Sequence, residues 1–386
     1  MPVPAFVDIE RPPLHLAEVL VVRLPLLAPF VTGFGVTDSR HTVLVHVVGA
    51  DGVEGWGEGP ALDHPYYLPE TVGSTFLCIR DFALPLALRA TVHDPVSIHE
   101  AMRPIRGNTF ARAAVEAAFW SLESGRRGLS MRAMFGGGRA AVPVGESLGI
   151  AESIDHTLAE VAQRLDDGYR RIKLKIEPGW DVDVVRAVRT FTGDDVMITV
   201  DANASYTTDQ ADQLVALDEF GLACIEQPLG WDQLTEHAEL QKRITTPICL
   251  DESLRSLDDV RRALDLDACR NVNLKPARVG GIVTSLEIAD LCEQRGIPLW
   301  CGGMMESGIG RASNLALCSL DAFTDPADMS PARLLFEDDV VDPTYDVEPD
   351  GTIAVPTSPG LGFEVCMDRV ESRTVQRAAV DVASCP

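Results

Sequence analysis

The chain has 386 residues, 46% of them hydrophobic and 24% charged, and a formal net charge of −25. It is too long for one small core and long enough for a barrel with a cap. The charge excludes a basic face for nucleic acid and docking on anionic membranes, but not an anionic small molecule, because a bound cation inverts the local field.

Asp8 and Glu10 give the first ten residues the wrong sign for a signal peptide. The apolar stretch 16–30 is broken by Glu18, Arg23, Pro25 and Pro29 and is too short to span a bilayer. The cytoplasm is the expected compartment, with no membrane and no nucleic-acid partner. Nine cysteines without a C-x-x-C spacing read as small core hydrophobes. Eight histidines without an H-E-x-x-H pattern give zinc no support.

In chain order, residues 16–24, 41–48 and a run to Trp56-Gly57-Glu58 have the texture of strands, with an Asp51-Gly52 turn between the last two. Helices follow at 97–102 and 110–123, the second expected to end near Gly125. From residue 142 short apolar runs alternate with amphipathic helices: strands at 142–148, 171–176, 196–200, 223–225, 247–250, 271–274 and 298–300, with helices such as 153–165 and 181–191 between them. Such alternation builds parallel βαβ units. From residue 325 the chain is irregular, with a hairpin turn expected at Asp350-Gly351. The expected class is α/β: a (β/α)7-8 TIM-type barrel over 139–325, an N-terminal α+β capping domain over 1–138, and a C-terminal segment, 326–386, that finishes the barrel and returns to the cap.

Polar residues stand at or just past five successive strand ends, Lys175, Asp201, Glu226, Asp251 and Lys275, separated by 26, 25, 25 and 24 residues. A βα unit of regular length is what a closed barrel repeats, and the C-terminal ends of its strands converge on one mouth. An open doubly wound sheet also alternates, but gathers its site at one crevice rather than along five consecutive strands.

Three carboxylates brought together repel unless a cation sits among them, and oxygen-only ligation suits Mg²⁺, with Mn²⁺ as the alternative. Each acid alone would serve as a helix cap; three at even spacing argue for one site. In Ile172-Lys173-Leu174-Lys175-Ile176 the alternation sends both lysines to one side. A barrel interior makes a lysine costly unless it has a partner or a task, and two close ammonium groups help one of them act as a base. Lys275 stands across the mouth from Lys175; by itself it reads equally well as a surface loop residue. A cation gripping a substrate carboxylate between lysines on two faces is an arrangement for removing an α-proton and stabilising the enediolate that results.

In order, Lys173-Leu174-Lys175, Asp201-Ala202-Asn203, Glu226-Gln227-Pro228, Asp251-Glu252-Ser253 and Lys275-Pro276 resemble the muconate-lactonizing subgroup of the enolase superfamily. Residues 302–311 (Gly-Gly-Met-Met-Glu-Ser-Gly-Ile-Gly-Arg), 29–35 and 66–71 resemble its o-succinylbenzoate synthase/N-succinylamino acid racemase branch. The resemblance covers nearly the whole chain. It implies Mg²⁺ held by Asp201, Glu226 and Asp251, with Lys175 as acid/base and Lys173 tuning it. Lys275 would be a stabilising cation in synthase chemistry and a second base in racemase chemistry. It also implies a mobile cap loop carrying Phe30 and Phe34. The implied pocket is lined by Ser147, Asn203, Gly303, Met304 and Ile309, with Asn203 and Glu252 supporting the metal ligands. Read without the resemblance, Phe30 and Phe34 are equally cap core, Ser147 a strand hydroxyl, and the glycines and Met304 turn and packing residues.

The implied activity is Mg²⁺-dependent loss of water from the cyclohexadiene carboxylate precursor of o-succinylbenzoate in menaquinone synthesis, with N-succinylamino acid racemisation as a second activity. The substrate is a small carboxylate and the expected assembly a homo-oligomer. The alternatives are a racemase or epimerase of N-acylated amino acids as the main activity, a muconate cycloisomerase, or a barrel that binds without catalysis. Two features depart from the family. The linker helix, Trp120-Ser121-Leu122-Glu123-Ser124-Gly125, lacks the usual Asp and Ala-Lys, which bears on packing and assembly. The eighth strand, expected around residues 320–323, lacks the Asp-x-Asp of dipeptide epimerases, which argues against dipeptides.

Overall fold

The computed structural model describes residues 11–32, 35–90 and 94–382, with the side chains of 28–37 outside that description. Strands β1 (Leu14–Thr32), β2 (Gly35–Gly49) and β3 (Glu54–Gly59) form an antiparallel meander. Strict alternation gives it two apolar faces. Val19, Val21, Val43 and Val45 pack under the cap helices, while Leu20, Val22, Leu24 and Leu44 join the core that continues into the barrel. The strand Thr374–Ala379 pairs antiparallel with the free side of β1, so the last part of the chain returns to the cap.

The helix Thr109–Arg127 lies directly on β3. The contact needs glycine, because a Cβ on Gly57 would fall 2.1 Å from the Ala114 carbonyl oxygen and one on Gly55 2.2 Å from that of Ala118. At its N-terminus the Glu70 carboxylate accepts from the N–H groups of Phe110 (3.0 Å) and Ala111 (3.3 Å). The helix runs past Gly125, where it was expected to stop, and ends at Gly128 in the left-handed region (φ +63°).

Strands β4 (Ala141–Leu148), β5 (Arg171–Lys175), β6 (Met197–Asp201), β7 (Cys224–Glu226), β8 (Ile248–Leu250), β9 (Asn271–Leu274) and β10 (Leu299–Cys301) pair in sequence order, all parallel. An eighth strand, β11 (Ala327–Asp328), pairs parallel with β4 and stands against β10, so the barrel is nearly closed. The expected fold class is therefore observed. The eighth strand is not at 320–323: Leu320 and Phe323 are buried core residues just beyond the helix Gly308–Cys318. Asp350-Gly351 does turn, with Gly351 at φ +79° and its N–H bonded to the Glu348 carbonyl at 2.8 Å. The Glu348 N–H closes the turn on the Thr352 carbonyl at 2.8 Å, and the strand that follows, Thr352–Ala354, pairs antiparallel with β4. The eight described cysteines are all unpaired, and seven are buried. Among the described residues no helix is long and apolar enough to cross a membrane.

Cap and barrel are tied through Glu58 of β3. Its carboxylate accepts from Thr42 Oγ1 (2.7 Å), Ser307 N (3.1 Å), Ser307 Oγ (2.7 Å) and Gly310 N (2.9 Å), so it caps the barrel helix Gly308–Cys318 from the other domain. The substitution Glu58→Ala strands these buried donors. It is expected to cost roughly 2–4 kcal/mol, measured as a lower urea midpoint.

Candidate active site

The alternation of β5 turns Lys173 and Lys175 into the barrel mouth and buries Leu174 in the core. Lys173 Nζ donates to Glu226 Oε2 at 3.0 Å, lies 3.4 Å from Asp201 Oδ2, and pairs with Asp328. Burial lowers its pKa, opposed by Glu226 and Asp201. Lys175 Nζ donates to Asp201 Oδ2 (2.5 Å) and Asn203 Oδ1 (2.8 Å). For Asp201, burial raises the pKa, but Lys175 and Lys173 outweigh it and hold the carboxyl below its ordinary range.

Across the mouth, Lys275 Nζ donates to Asp251 Oδ2 at 2.8 Å and to the Tyr67 hydroxyl at 3.1 Å. That hydroxyl donates to Asp251 Oδ1 at 2.9 Å. Arg278 pairs with Asp251 and reaches the same hydroxyl at 3.1 Å. Burial works against the Lys275 cation, yet Tyr67 and Glu252 outweigh it and raise its pKa. Between the two sides, Glu226 Oε1 accepts from Asn273 Nδ2 at 2.7 Å.

Asp201 and Glu226 end β6 and β7, Asp251 stands one residue past the adjacent β8, and the three are 2%, 0% and 0% exposed. Each is drawn to a lysine, and Asp251 also to Arg278. Among the described residues no three His, Cys, Asp or Glu side chains close into a metal cage as they stand. The donor set, three buried carboxylates without sulfur or imidazole, fits a hard divalent cation.

Loops just past the strands hold this row. Asn203, Gln227 and Met305 adopt left-handed backbone (φ +43°, +35° and +52°), unusual away from glycine and common where a site fixes the chain. Gln227 Oε1 accepts from the N–H groups of Asp251 (3.0 Å) and Ser253 (3.2 Å), locking the loop after β8. Asn203 Nδ2 donates to Glu252 Oε1 at 3.2 Å. Burial first, then Asp201, pushes the Glu252 carboxyl up to about 7. Gly302 leaves room for the opposite face: a Cβ there would meet Asn273 Oδ1 at 2.2 Å and Lys275 Cε at 2.7 Å.

The row opens into a cavity of about 1030 Å³, which Ser147, Asn203, Gly303 and Met304 line together with the three lysines. Ile309 does not reach it. That residue sits in the first turn of Gly308–Cys318, 1% exposed, and packs into the core. Phe34 and the side chain of Phe30 lie outside the described residues. Sequence reasoning assigned no role to Tyr67, Asn273, Arg278 or Asp328. Asn273 was within reach, since it stands two residues before Lys275 and shares its side of β9.

Residues 16–136 match the model of the mandelate racemase/muconate lactonizing enzyme N-terminal domain, and residues 156–369 that of the enolase C-terminal domain-like family. The chain belongs to the enolase superfamily. Within it, the chain falls in the o-succinylbenzoate synthase/N-succinylamino acid racemase branch and is an enzyme, which removes the non-catalytic alternative. One relative, the o-succinylbenzoate synthase of Geobacillus stearothermophilus, is 46% identical over 92% of this chain and 94% of its own. Another, the N-succinylamino acid racemase of Thermus thermophilus, is 44% identical over 93% and 96%. A solved enolase-superfamily structure from Listeria innocua superimposes with a TM-score of 0.93 at 36% identity, covering 97% of this chain and 100% of that one.

Proposed function

We propose that this chain is a Mg²⁺-dependent o-succinylbenzoate synthase of menaquinone biosynthesis, cytoplasmic and homo-oligomeric, whose site also racemises N-succinylamino acids. The observation that carries this reading is the row of buried carboxylates Asp201, Glu226 and Asp251 set between Lys175 and Lys275. These three acids would hold the ion, whose charge, when bound, stabilises a substrate carboxylate as negative charge builds on it. Lys175, oriented by Asp201 and Asn203, takes the α-proton and delivers a proton to the leaving hydroxyl, which departs as water. Lys275, kept cationic beside Asp251 and Tyr67, faces the other side of the substrate. In racemisation it is the second proton carrier.

Racemisation is the second reading because the Thermus thermophilus relative, at 44% identity, carries that activity in its name. Cycloisomerisation has weaker support, since the muconate lactonizing enzyme of Pseudomonas fluorescens is 27% identical. The test follows the ultraviolet absorbance of the o-succinylbenzoate precursor with Mg²⁺-loaded protein. Rapid loss is expected. A folded, metal-loaded protein that leaves the precursor intact would transfer the main activity to N-acylated amino acids.

A further inference from the structure

The alternation that turns Lys173 and Lys175 into the barrel turns Arg171 inward as well, so β5 carries three cations on one face. Arg171 and Lys173 are 1% and 4% exposed. Both lie against the ring of Trp300 of β10, with Arg171 Cζ 4.6 Å and Lys173 Nζ 4.9 Å from its centroid. Arg171 passes β4 where Gly145 leaves room for it: a Cβ there would fall 2.2 Å from Arg171 Nε. Both cations pair with Asp328, the second residue of the short strand β11. Asp328 stands opposite Gly145 in register, and Arg311 Nη1 donates to its carbonyl at 2.9 Å, so its backbone is held on two sides. It lines the same cavity as the three lysines.

The acids of the row are already occupied by the protein's own donors. Glu226 accepts from Asn273 on Oε1 and from Lys173 on Oε2. Asp201 accepts from the Asn203 N–H on Oδ1 at 2.9 Å and from Lys175 on Oδ2, with Lys173 at 3.4 Å from the latter oxygen. Lys173 thus bridges two of the three acids. Ligation of a divalent cation needs those oxygens, so Lys173 has to turn from them. A buried ammonium that gives up two carboxylates is stranded unless a third receives it. Asp328 already touches it and belongs to none of the strands that carry the row.

We propose that Asp328 is a positioning residue: it receives the Lys173 ammonium when Asp201 and Glu226 take up the divalent ion, and so strengthens ion binding without touching the ion. The inference rests on the three-carboxylate site of the proposed function. Arg171 holds the Asp328 carboxylate from its other side, and the Trp300 ring gives the ammonium a face to rest on where it meets Asp328.

The test is calorimetric titration of Mg²⁺ into the wild-type protein, Asp328→Asn, Lys173→Gln and the double variant. Asp328→Asn is expected to weaken Mg²⁺ binding about 10- to 100-fold, the usual effect of removing a partner that orients a metal site from outside. Loss of a negative charge acting through space would weaken binding too, and the cycle separates the two causes. Acting through Lys173, the same substitution in the Lys173→Gln background is expected to change Kd by about twofold or less. An equal loss in both backgrounds reduces Asp328 to a distant charge and overturns the proposal, as does a Kd unchanged in Asp328→Asn. Melting temperature without Mg²⁺ reports whether each variant is folded. Where one is not, a crystal structure of the Mg²⁺-loaded wild-type protein decides. Lys173 Nζ is then expected about 2.7–2.9 Å from an Asp328 oxygen and out of hydrogen-bonding reach of Asp201 and Glu226. Lys173 still bonded to either acid beside a bound ion overturns the proposal. A wild-type protein that binds no Mg²⁺ refutes the three-carboxylate site and this inference with it, whereas Mg²⁺ bound equally well by Asp328→Asn refutes the inference alone.

Discussion

Replacing Lys175 by alanine is expected to lower kcat by roughly 10²–10⁴-fold, the range for a positioned acid or base, with little loss of melting temperature. The second half follows from the partners that remain. Asp201 keeps Lys173 at 3.4 Å and the Asn203 N–H at 2.9 Å, so its carboxylate is not stranded by the substitution. Only the proton carrier on one face of the substrate disappears. Solvent exchange at the α-carbon of an N-succinylamino acid separates the faces: the variant should lose exchange from one enantiomer and retain it from the enantiomer whose proton points at Lys275. Unchanged turnover in a folded Lys175→Ala protein would remove Lys175 from the mechanism.

Chelation is expected to abolish turnover by more than about 10³-fold, reversibly on adding Mg²⁺, without unfolding the protein. The buried acids are not left as bare neighbouring charges when no ion is present. Lys173 serves Asp201 and Glu226, and Lys275 and Arg278 serve Asp251. An ion that binds only the folded state at a hundred times its Kd adds about 2.7 kcal/mol, so the melting temperature should rise with Mg²⁺ concentration. Full activity in excess chelator would reject the three-carboxylate site, whatever the melting curves do.

Much of the barrel is legible in the sequence because each short apolar strand ends in a chemically distinctive residue, and those residues recur every 24 to 26 positions. The eighth strand escapes because two residues, Ala327 and Asp328, are too few to show a period. With it goes Asp328, which pairs with both Arg171 and Lys173. Gly125 misleads for another reason. It stays helical, and what its missing Cβ provides is clearance from Val53, whose Cγ1 a Cβ would meet at 2.8 Å. The stop comes from Gly128 three residues later.

At the site, the acids and lysines belong to the repeat and can be read from it. Tyr67 does not: it lies in the cap, 184 positions before the Asp251 it bonds, and no local pattern encodes that meeting. Arg278 looks like an ordinary helical arginine until the fold places it, fully buried, where it bonds the Leu254 carbonyl after β8 and the Asn273 carbonyl of β9. Ile309 shows the limit of a motif match, because Ser307 caps a helix whose first turn carries Ile309 inward.

The return of Thr374–Ala379 to β1 sets an order of events during synthesis. β1 leaves the ribosome before any barrel strand, and β2 and β3 can cover one side of it at once. Its other edge, a row of unpaired backbone groups on an apolar strand, waits for Thr374–Ala379, which follow the whole barrel. Through all of barrel translation that edge is open to pairing with another nascent chain, which is the usual route from an exposed strand to aggregation. The acidic character of the chain, −25 overall, then acts as protection: nascent copies repel one another until Thr374–Ala379 closes the edge.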